Sequence, residues 1–191
     1  MKKEEIKAVI FDIGGVLLEN PLISEFWKNC KGSKQLRNKF GAGKMPKQEF
    51  INKASKMLNI PKRDFIKEYG KAYFPIKKIK EVYKIYKKIK IKKTLFSDTN
   101  PIHLKFIKKK YPEIFDIADA IFMSSISGSR KNQLVSYKHI ISKLQFRPSQ
   151  MLVIDDKQDV LDLARRLGMK TILFKNNKQL IKNLKKLGVR I

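Results

Sequence analysis

Short apolar runs recur along the chain and predict buried strands. Segments with apolar residues at helical spacing separate the later runs. Strands that alternate with helices of about ten residues are typical of a parallel sheet with right-handed crossovers. The pattern therefore predicts an α/β fold of three layers, with a parallel sheet between helices. The predicted strands are Lys7–Phe11, Thr94–Phe96, Ala118–Met123, Met151–Ile154 and Thr171–Phe174.

Amphipathic segments predict the helices that alternate with these strands. Pro75–Ile89 is expected to form the first helix of the α/β part, with one apolar stripe facing the core. A second helix is expected to begin at Pro101, because proline suits the first helical turn. Three more are expected at residues 133–144, 159–167 and 181–187. The stripe of the first helix comprises Ile79, Val82, Tyr83 and Tyr86.

The stretch between the first two predicted strands has no strand-like alternation. Pro46 and Pro61 stand where first helical turns would begin, each ahead of apolar residues at helical spacing. We therefore predict an all-helical insertion at residues 20–74, and an α/β core made of residues 1–19 and 75–191. The aromatic residues near the start of the insertion, Phe26 and Trp27, are expected to pack within it, with the substrate entrance as the alternative. The other apolar positions are Phe50, Ala54, Met57, Phe65, Tyr69 and Tyr73.

The net charge of +27 raises nucleic acid or an anionic membrane as partners. However, 37 of the 44 basic residues are lysine, whereas bidentate recognition of phosphates and bases favours arginine. The lysines also occur in nearly every helical segment. We interpret the charge as a solvated surface, and nucleic acid is a partner that we do not favour. Residues 28–93 alone carry a net charge of +18, which would attract anionic substrates if this segment overhangs a site.

Composition also indicates the compartment. No apolar run approaches the ~20 residues that span a bilayer, and the stretch from Val9 to Leu18 contains a charge and two glycines, unlike a signal peptide. Cys30 is the single cysteine, so no internal disulfide is possible, and no Cys/His cluster has zinc spacing. We therefore expect a cytoplasmic protein without a membrane segment. The sequence does not indicate an oligomeric state.

Polar residues at four predicted strand ends are candidates for one site. Asp12 follows the first strand, Ser97 the second and Asp155-Asp156 the fourth, while Lys131 lies in the loop after the third. Ligands of parallel sheets bind beyond the carboxyl ends of the strands. Three carboxylates in one cleft require a cation, and Mg²⁺ prefers such oxygen ligands. Lys131 would offset the remaining charge and keep Asp12 ionised.

Four segments resemble the motifs of the haloacid dehalogenase-like (HAD) hydrolase superfamily. They are VIFDIGGVLL at residues 9–18, LFSDTN at 95–100, GSRK at 128–131, and MLVIDDKQDVLDLARRLGMKTILF at 151–174. The resemblance implies a Rossmann-like sheet in the flavodoxin-like strand order, and a helical cap at residues 20–74 over the active site. It also implies a Mg²⁺-dependent phosphatase that acts on a small phosphorylated, and hence anionic, metabolite through an aspartyl-phosphate.

The resemblance also implies roles for individual residues. Asp12 would be the nucleophile and Lys131 the second catalytic residue. The carboxylates of Asp12, Asp155 and Asp156, with the carbonyl of Gly14, would hold Mg²⁺. The remaining positions would bind the phosphate together with Lys131; they are Gly14, Gly15, Ser97, Asp98, Thr99, Asn100 and His103.

The sequence departs from the family pattern at several positions. Gly14 stands where the phosphatases of the family usually carry a second aspartate, which protonates the leaving group. Losing such help costs ~10²–10⁴-fold, which a good leaving group such as an anomeric sugar phosphate or an acyl phosphate would tolerate. His103 is the nearby candidate for the proton donor, and the S-x-T-N-x-x-H pattern is similar to a subgroup that includes a glucose-1-phosphate phosphatase. Asp98 adds a negative charge where asparagine is common, and Asp159 is expected either to cap its helix or to belong to the site.

Two alternative functions follow from the same residues. A 2-haloacid dehalogenase-type displacement on carbon needs no metal, so the presence of both Asp155 and Asp156 argues against it. A weakly active HAD-like protein whose basic surface binds nucleic acid or a partner would fit the charge of +27 and the glycine at position 14. The complete set of strand-end residues argues against this second alternative.

Overall fold

A five-stranded parallel sheet forms the centre of the part of the chain that the computed structural model describes, which is residues 4–20, 23–72 and 76–191. All four neighbouring strand pairs are parallel. The predicted strands are therefore present, with ends that differ by one or two residues. The strands are β1 (Ala8–Phe11), β2 (Lys92–Ser97), β3 (Ala120–Met123), β4 (Met151–Asp155) and β5 (Lys170–Leu173).

Helices follow the strands and also fill the insertion between β1 and β2. A 3₁₀ turn at Pro148–Gln150 leads into β4. None of the described helices is long and apolar enough to cross a membrane. The helices are α1 (Ile23–Phe26), α2 (Ser33–Gly41), α3 (Lys47–Leu58), α4 (Lys62–Lys71), α5 (Lys80–Lys88), α6 (Pro101–Lys110), α7 (Pro112–Asp116), α8 (Ser124–Ser127), α9 (Leu134–Leu144), α10 (Gln158–Arg166) and α11 (Asn177–Lys186).

The sheet is buried on both faces, as its continuous apolar runs require. Along β1, Val9 and Phe11 belong to one hydrophobic cluster, whereas Ala8 and Ile10 belong to the other. Helices α5, α6, α7 and α11 contribute to the first cluster, and α9 and α10 contribute to the second. The predicted three-layer α/β fold is therefore confirmed.

The strand order is β3-β2-β1-β4-β5. The expected flavodoxin-like order, 2-1-3-4-5, is wrong in this detail, because β1 lies beside β4 instead of β3. The chain runs outward from β1 through β2 to β3, and then returns to the other side of β1 to build β4 and β5. The direction thus reverses between β1 and β4. Such a switch point opens a crevice at the carboxyl ends of the two strands, where ligands bind in open α/β sheets.

The helix predicted at Pro75–Ile89 begins later than expected, at Lys80, and Pro75 lies outside the described residues. The preceding residues pair with the segment after β1 instead. Glu19 N–H donates to the carbonyl of Lys77 at 2.9 Å, and Ile79 N–H donates to that of Leu17 at 2.9 Å. An extended tertiary pairing has therefore replaced the first turn that the local pattern predicted, and it joins the two ends of the insertion.

Helices α1–α4 form the insertion, which contains an aromatic cluster and, within the described residues, no strand. Phe50 is fully buried and stacks on Phe40 with ring centroids 3.9 Å apart. The rings of Phe26 and Trp27 lie 5.4 Å apart in an edge-on contact, so both pack as predicted. Met57, which the helical spacing placed with the apolar face of α3, is instead 39% exposed.

Replacing Phe50 by alanine should destabilise the protein by about 3–5 kcal/mol, because it leaves a cavity among rings that cannot close around it. Met57→Ala, on the same helix, should stay within about 0.5 kcal/mol of the parent, because half-exposed positions lose little packing. Urea unfolding followed by circular dichroism measures both changes. Equal effects of the two substitutions would contradict the aromatic cluster as the source of the insertion's stability.

Candidate active site

A cavity of about 440 Å³ lies between the carboxyl ends of the strands and the helical insertion. The volume suits a small ligand. The core supplies Asp12, Ser97 and Lys131, and α2 of the insertion supplies Arg37 and Asn38. Three of the strand-end residues that were predicted to form one site therefore lie in the wall of one cavity. The other predicted site residues in the cavity wall are Gly14, Asp98, Thr99, Asn100 and His103.

Three carboxylates meet at the switch point between β1 and β4. Phe11 pairs with Ile154, so the next residues of the two strands, Asp12 and Asp155, are neighbours. The N–H of Asp12 continues this pairing with a hydrogen bond to the carbonyl of Ile154 at 3.0 Å. Asp12, Asp155 and Asp156 each offer an oxygen, and these atoms lie within 4.8 Å of one another. The register of two central strands thus creates the acidic cluster.

The ammonium group of Lys131 lies inside this cluster. Its Nζ is 2.9 Å from Oδ1 of Asp12 and also forms an ion pair with Oδ2 of Asp155. Burial alone would lower the pKa of Lys131, but the charges of Asp12 and Asp155 outweigh it and raise the pKa above its usual value. Lys131 is therefore charged, and it offsets part of the negative charge.

The two oxygens of Asp12 have different surroundings. Oδ1 accepts a hydrogen bond from the N–H of Ile13 at 2.6 Å and contacts Lys131. No described residue donates a hydrogen bond to the other oxygen, Oδ2, and Asp12 forms part of the cavity wall. The carboxylate is therefore fixed through one oxygen while the second is available to a ligand.

Gly15 brings the turn after β1 against Asp156. Its φ is +82°, which L side chains rarely adopt, and a Cβ there would lie 2.2 Å from Oδ2 of Asp156. Gly14 differs from it: a Cβ at this position would meet only Oδ1 of Asn20, at the ordinary contact distance of 3.5 Å. The fold therefore requires glycine at position 15 but not at position 14.

The carboxylates at the end of β4 are suited to a cation. Oδ2 of Asp156 accepts a hydrogen bond from Asn20 at 3.1 Å, whereas its Oδ1 is buried without a hydrogen-bond donor among the described residues. Burial raises the pKa of Asp155 to about 6, despite the opposing effect of Lys131. A second cation would stabilise both the buried Oδ1 of Asp156 and the ionised form of Asp155. An all-oxygen donor set is the kind that Mg²⁺ prefers.

Asp159 lies outside the cavity. It occupies the first turn of α10 and is exposed. The N-cap of this helix is Lys157, so the prediction that Asp159 caps the helix is wrong. Oδ1 of Asp155 accepts the N–H of Lys157 at 2.9 Å, which holds the turn between β4 and α10 in place.

Residues after β2 form the wall beside Ser97. Oδ1 of Asn100 accepts the N–H of His103 at 2.9 Å and so caps α6. Nδ1 of His103 lies 3.2 Å from the hydroxyl of Thr99. Burial lowers the pKa of His103 to about 3, so its ring is neutral at neutral pH. Burial thus disfavours the imidazolium form that the predicted role as a proton donor would use.

The charge of Asp98 has a partner that sequence reasoning missed. Its Oδ2 accepts a hydrogen bond from Nε of Arg130 at 3.0 Å, and its Oδ1 accepts the N–H of Lys131 at 2.9 Å. Asp98 therefore does not add an uncompensated negative charge. Arg130 also donates through Nη1 to Oδ1 of Asn38 in the insertion. Other cavity residues that were not predicted as site residues include Asn20, Arg37 and Tyr69.

Known proteins share this arrangement of elements. The family model of the haloacid dehalogenase-like hydrolases matches residues 6–168. The chain is 20% identical over 181 residues to sesquiterpene phosphatase astK of Aspergillus oryzae, covering 85% of this chain and 87% of that protein. A predicted HAD-like family hydrolase from Porphyromonas gingivalis is similar in structure, with a TM-score of 0.77, 20% identity, and 98% and 100% of the two chains covered.

A further solved structure is the HAD family enzyme bt-2542 from Bacteroides thetaiotaomicron in complex with magnesium and inorganic phosphate. It is similar to this chain with a TM-score of 0.70 and 20% identity, covering 89% of this chain and 94% of that one. At this level of identity, likeness in structure supports the fold, whereas the family match over most of the chain identifies the class of protein.

Acidification should destabilise the protein through His103. The unfolded ring has a pKa near 6.5 and the folded ring one of about 3, so only the unfolded state gains this proton as the pH falls between them. From about pH 7 to about pH 5 the free energy of unfolding should therefore decrease by about 2 kcal/mol through this residue. Urea titrations of the parent and of His103→Gln measure the difference. An equal loss in both proteins would contradict the burial of a neutral ring.

Proposed function

The chain belongs to the haloacid dehalogenase-like hydrolases, and we propose that it is a Mg²⁺-dependent phosphatase for a small phosphorylated metabolite. The observation that carries the proposal is the meeting of Asp12, Asp155 and Asp156 around the ammonium of Lys131 at the end of the sheet. This arrangement leaves one oxygen of Asp12 available in a cavity that suits a small ligand.

In the first step, Oδ2 of Asp12 attacks the phosphorus of the ester. A bond forms between Oδ2 and phosphorus, the bond to the ester oxygen breaks, and the leaving group departs with the electron pair. A carboxylate is a weak nucleophile, but attack on phosphorus depends mostly on alignment and on charge stabilisation. Ile13 N–H and Lys131 hold the carboxylate for this attack through its other oxygen.

Charge that develops on the transferring group needs donors in the same cavity. Lys131 and Ser97, which line the cavity on its core side, supply an ammonium group and a hydroxyl. Donors that are already in position need no reorganisation during the reaction, which makes them effective. In the second step, water attacks the phosphorus of the aspartyl-phosphate, which releases phosphate and restores Asp12.

The metal would be held by Asp12, Asp155 and Asp156, with the carbonyl of Gly14. When bound, Mg²⁺ supplies positive charge to the phosphoryl oxygens and offsets the carboxylates. The buried Oδ1 of Asp156, which has no donor among the described residues, supports this assignment. We also infer that helices α1–α4 act as the cap predicted at residues 20–74, because α2 and Tyr69 of α4 contribute to the cavity wall.

Gly14 has no acidic side chain, and burial lowers the pKa of His103 to about 3, so neither residue is suited to protonate the leaving group. We therefore infer that the substrate has a leaving group that departs without much help, as anomeric sugar phosphates and acyl phosphates do. That sesquiterpene phosphatase astK is a phosphatase supports phosphoryl transfer. A dehalogenase-type reaction would leave the acidic residues at the end of β4 without a purpose, so we do not favour it.

Asp12→Asn should abolish release of phosphate, with a loss of at least about 10³-fold, because the amide cannot form the covalent intermediate. EDTA should have the same effect on the parent, and added Mg²⁺ should reverse it. A screen of sugar, nucleotide and acyl phosphates with a phosphate assay measures both. Asp162→Asn, at an exposed position in α10, serves as the matched control and should keep its activity. Metal-independent turnover would contradict the proposal.

Gly14→Asp should increase turnover of substrates with poor leaving groups by about 10²-fold, because it adds a general acid where none is present. A Cβ fits at this position, because the nearest atom that it would meet is 3.5 Å away. Turnover of acyl phosphates should increase little, because their leaving group needs no proton. Gly14→Asn has the same shape without the acid and is the matched control. If the two variants hydrolyse alkyl phosphates equally well, protonation of the leaving group does not limit this enzyme.

A further inference from the structure

Arginine is rare in this chain, yet it occurs twice in the cavity. Seven of the 44 basic residues are arginine, and Arg37 and Arg130 both form part of the wall. Arginine differs from lysine in its planar fork of donors, which matches carboxylates and phosphates. Arg130 uses its fork on Asp98 and Asn38. Arg37 calls for a separate explanation.

Arg37 makes no hydrogen bond or ion pair with any described residue. Its Nε is buried without a partner, and burying such a donor is costly unless it is satisfied. The guanidinium lies over the face of Trp27, with Cζ 5.7 Å from the ring centroid. Trp27 is itself buried, so this contact fixes the guanidinium without using its donors.

The carboxylates of the cavity do not account for Arg37. Asp12 is paired with Lys131, and Asp98 is paired with Arg130. Glu19, the third carboxylate of the wall, is exposed and forms no ion pair with any described basic residue. The contact between Arg130 and Asn38 meanwhile holds the adjacent part of α2 against the core. The fold thus keeps an unpaired arginine fork at the cavity.

We propose that Arg37 binds a second anionic group of the substrate, and that the enzyme prefers phosphate esters whose other end carries a carboxylate or a second phosphate. This inference rests on the proposed phosphatase activity and adds the substrate class. Arg37 comes from the insertion, whereas the donors suited to the transferring phosphoryl group come from the ends of the core strands. A site built to bind a charged end rejects the neutral analogue strongly, because its donors are then left without partners.

Esters of one chain length with three different ends test the proposal. For each of several lengths, the set comprises a phenyl phosphate with a para ω-hydroxyalkyl chain, the corresponding ω-carboxyalkyl compound and the ω-phosphooxyalkyl compound, because a phenolate leaves without a general acid. With saturating Mg²⁺, kcat/KM for at least one charged end should exceed that for the hydroxyl end by about tenfold or more. The carboxylate and bisphosphate arms identify which anion is preferred. Equal kcat/KM for all three ends would overturn the inference while leaving the phosphatase proposal intact.

Arg37→Gln should remove the preference, so that the ratio of kcat/KM between charged and hydroxyl ends falls towards one, mainly through KM. Arg37→Lys keeps the charge without the fork and should retain part of the ratio, and it replaces the glutamine variant if that one does not fold. Arg63→Gln, at an exposed position of α4, is the matched control and should keep the ratio. An equal decrease in kcat/KM for all three ends would indicate that Arg37 contacts the transferring phosphoryl group, and it would overturn the inference. Absence of any phosphate release from the parent would instead contradict the proposed function.

Discussion

The ion pairs of Lys131 with Asp12 and Asp155 are the interaction on which the site depends. Two carboxylates beside each other at the ends of β1 and β4 repel, and Asp155 is completely buried. Water cannot offset that repulsion, so a buried cation has to do so. Lys131 satisfies this requirement only because β3 and the turn after it bring GSRK back to the switch point. The site therefore depends jointly on the strand order, on the register of β1 and β4 and on the charge of Lys131. A change in any one of them would separate the ion pairs or leave the carboxylates uncompensated.

Apolar packing and polar contacts both attach the insertion to the core. Backbone pairing of residues 17–19 with residues 77–79 closes its base. Over the cavity, the polar contacts are single hydrogen bonds between side chains or with one carbonyl. Water and substrate groups can replace such bonds at little net cost, unlike the aromatic packing within the insertion. They join Arg130 to Asn38, Asn100 to Tyr69, and Ser124 to the carbonyl of Gly41.

Features with a local signal were predicted correctly from the sequence. Strands buried on both faces leave continuous apolar runs, and ligands of such sheets bind at the strand ends, so the positions of Asp12, Ser97 and Asp155 at the ends of neighbouring strands were predicted without coordinates. Features that depend on distant partners were not. The late start of α5 follows from backbone pairing with residues 17–19. The charge of Asp98 is neutralised by Arg130, which is more than 30 positions away in the sequence. The one feature of the sequence that could have drawn attention to Arg130 is the rarity of arginine in this chain.

The lysines of the chain fall into two groups, one buried and one in contact with solvent, and their charges act differently. Lys131 is the one lysine in the described chain that is buried, and solvent ions cannot screen its interactions with the carboxylates. The other described lysines reach solvent, where salt screens them within about 8–10 Å. Their fields can concentrate anionic ligands near the cavity, but they add little to binding within it. Selectivity must then come from the few cations fixed at the cavity. Among the described residues of the cavity wall, Arg37 is the arginine whose fork has no partner, so it tells more about the substrate than the total charge of the surface does.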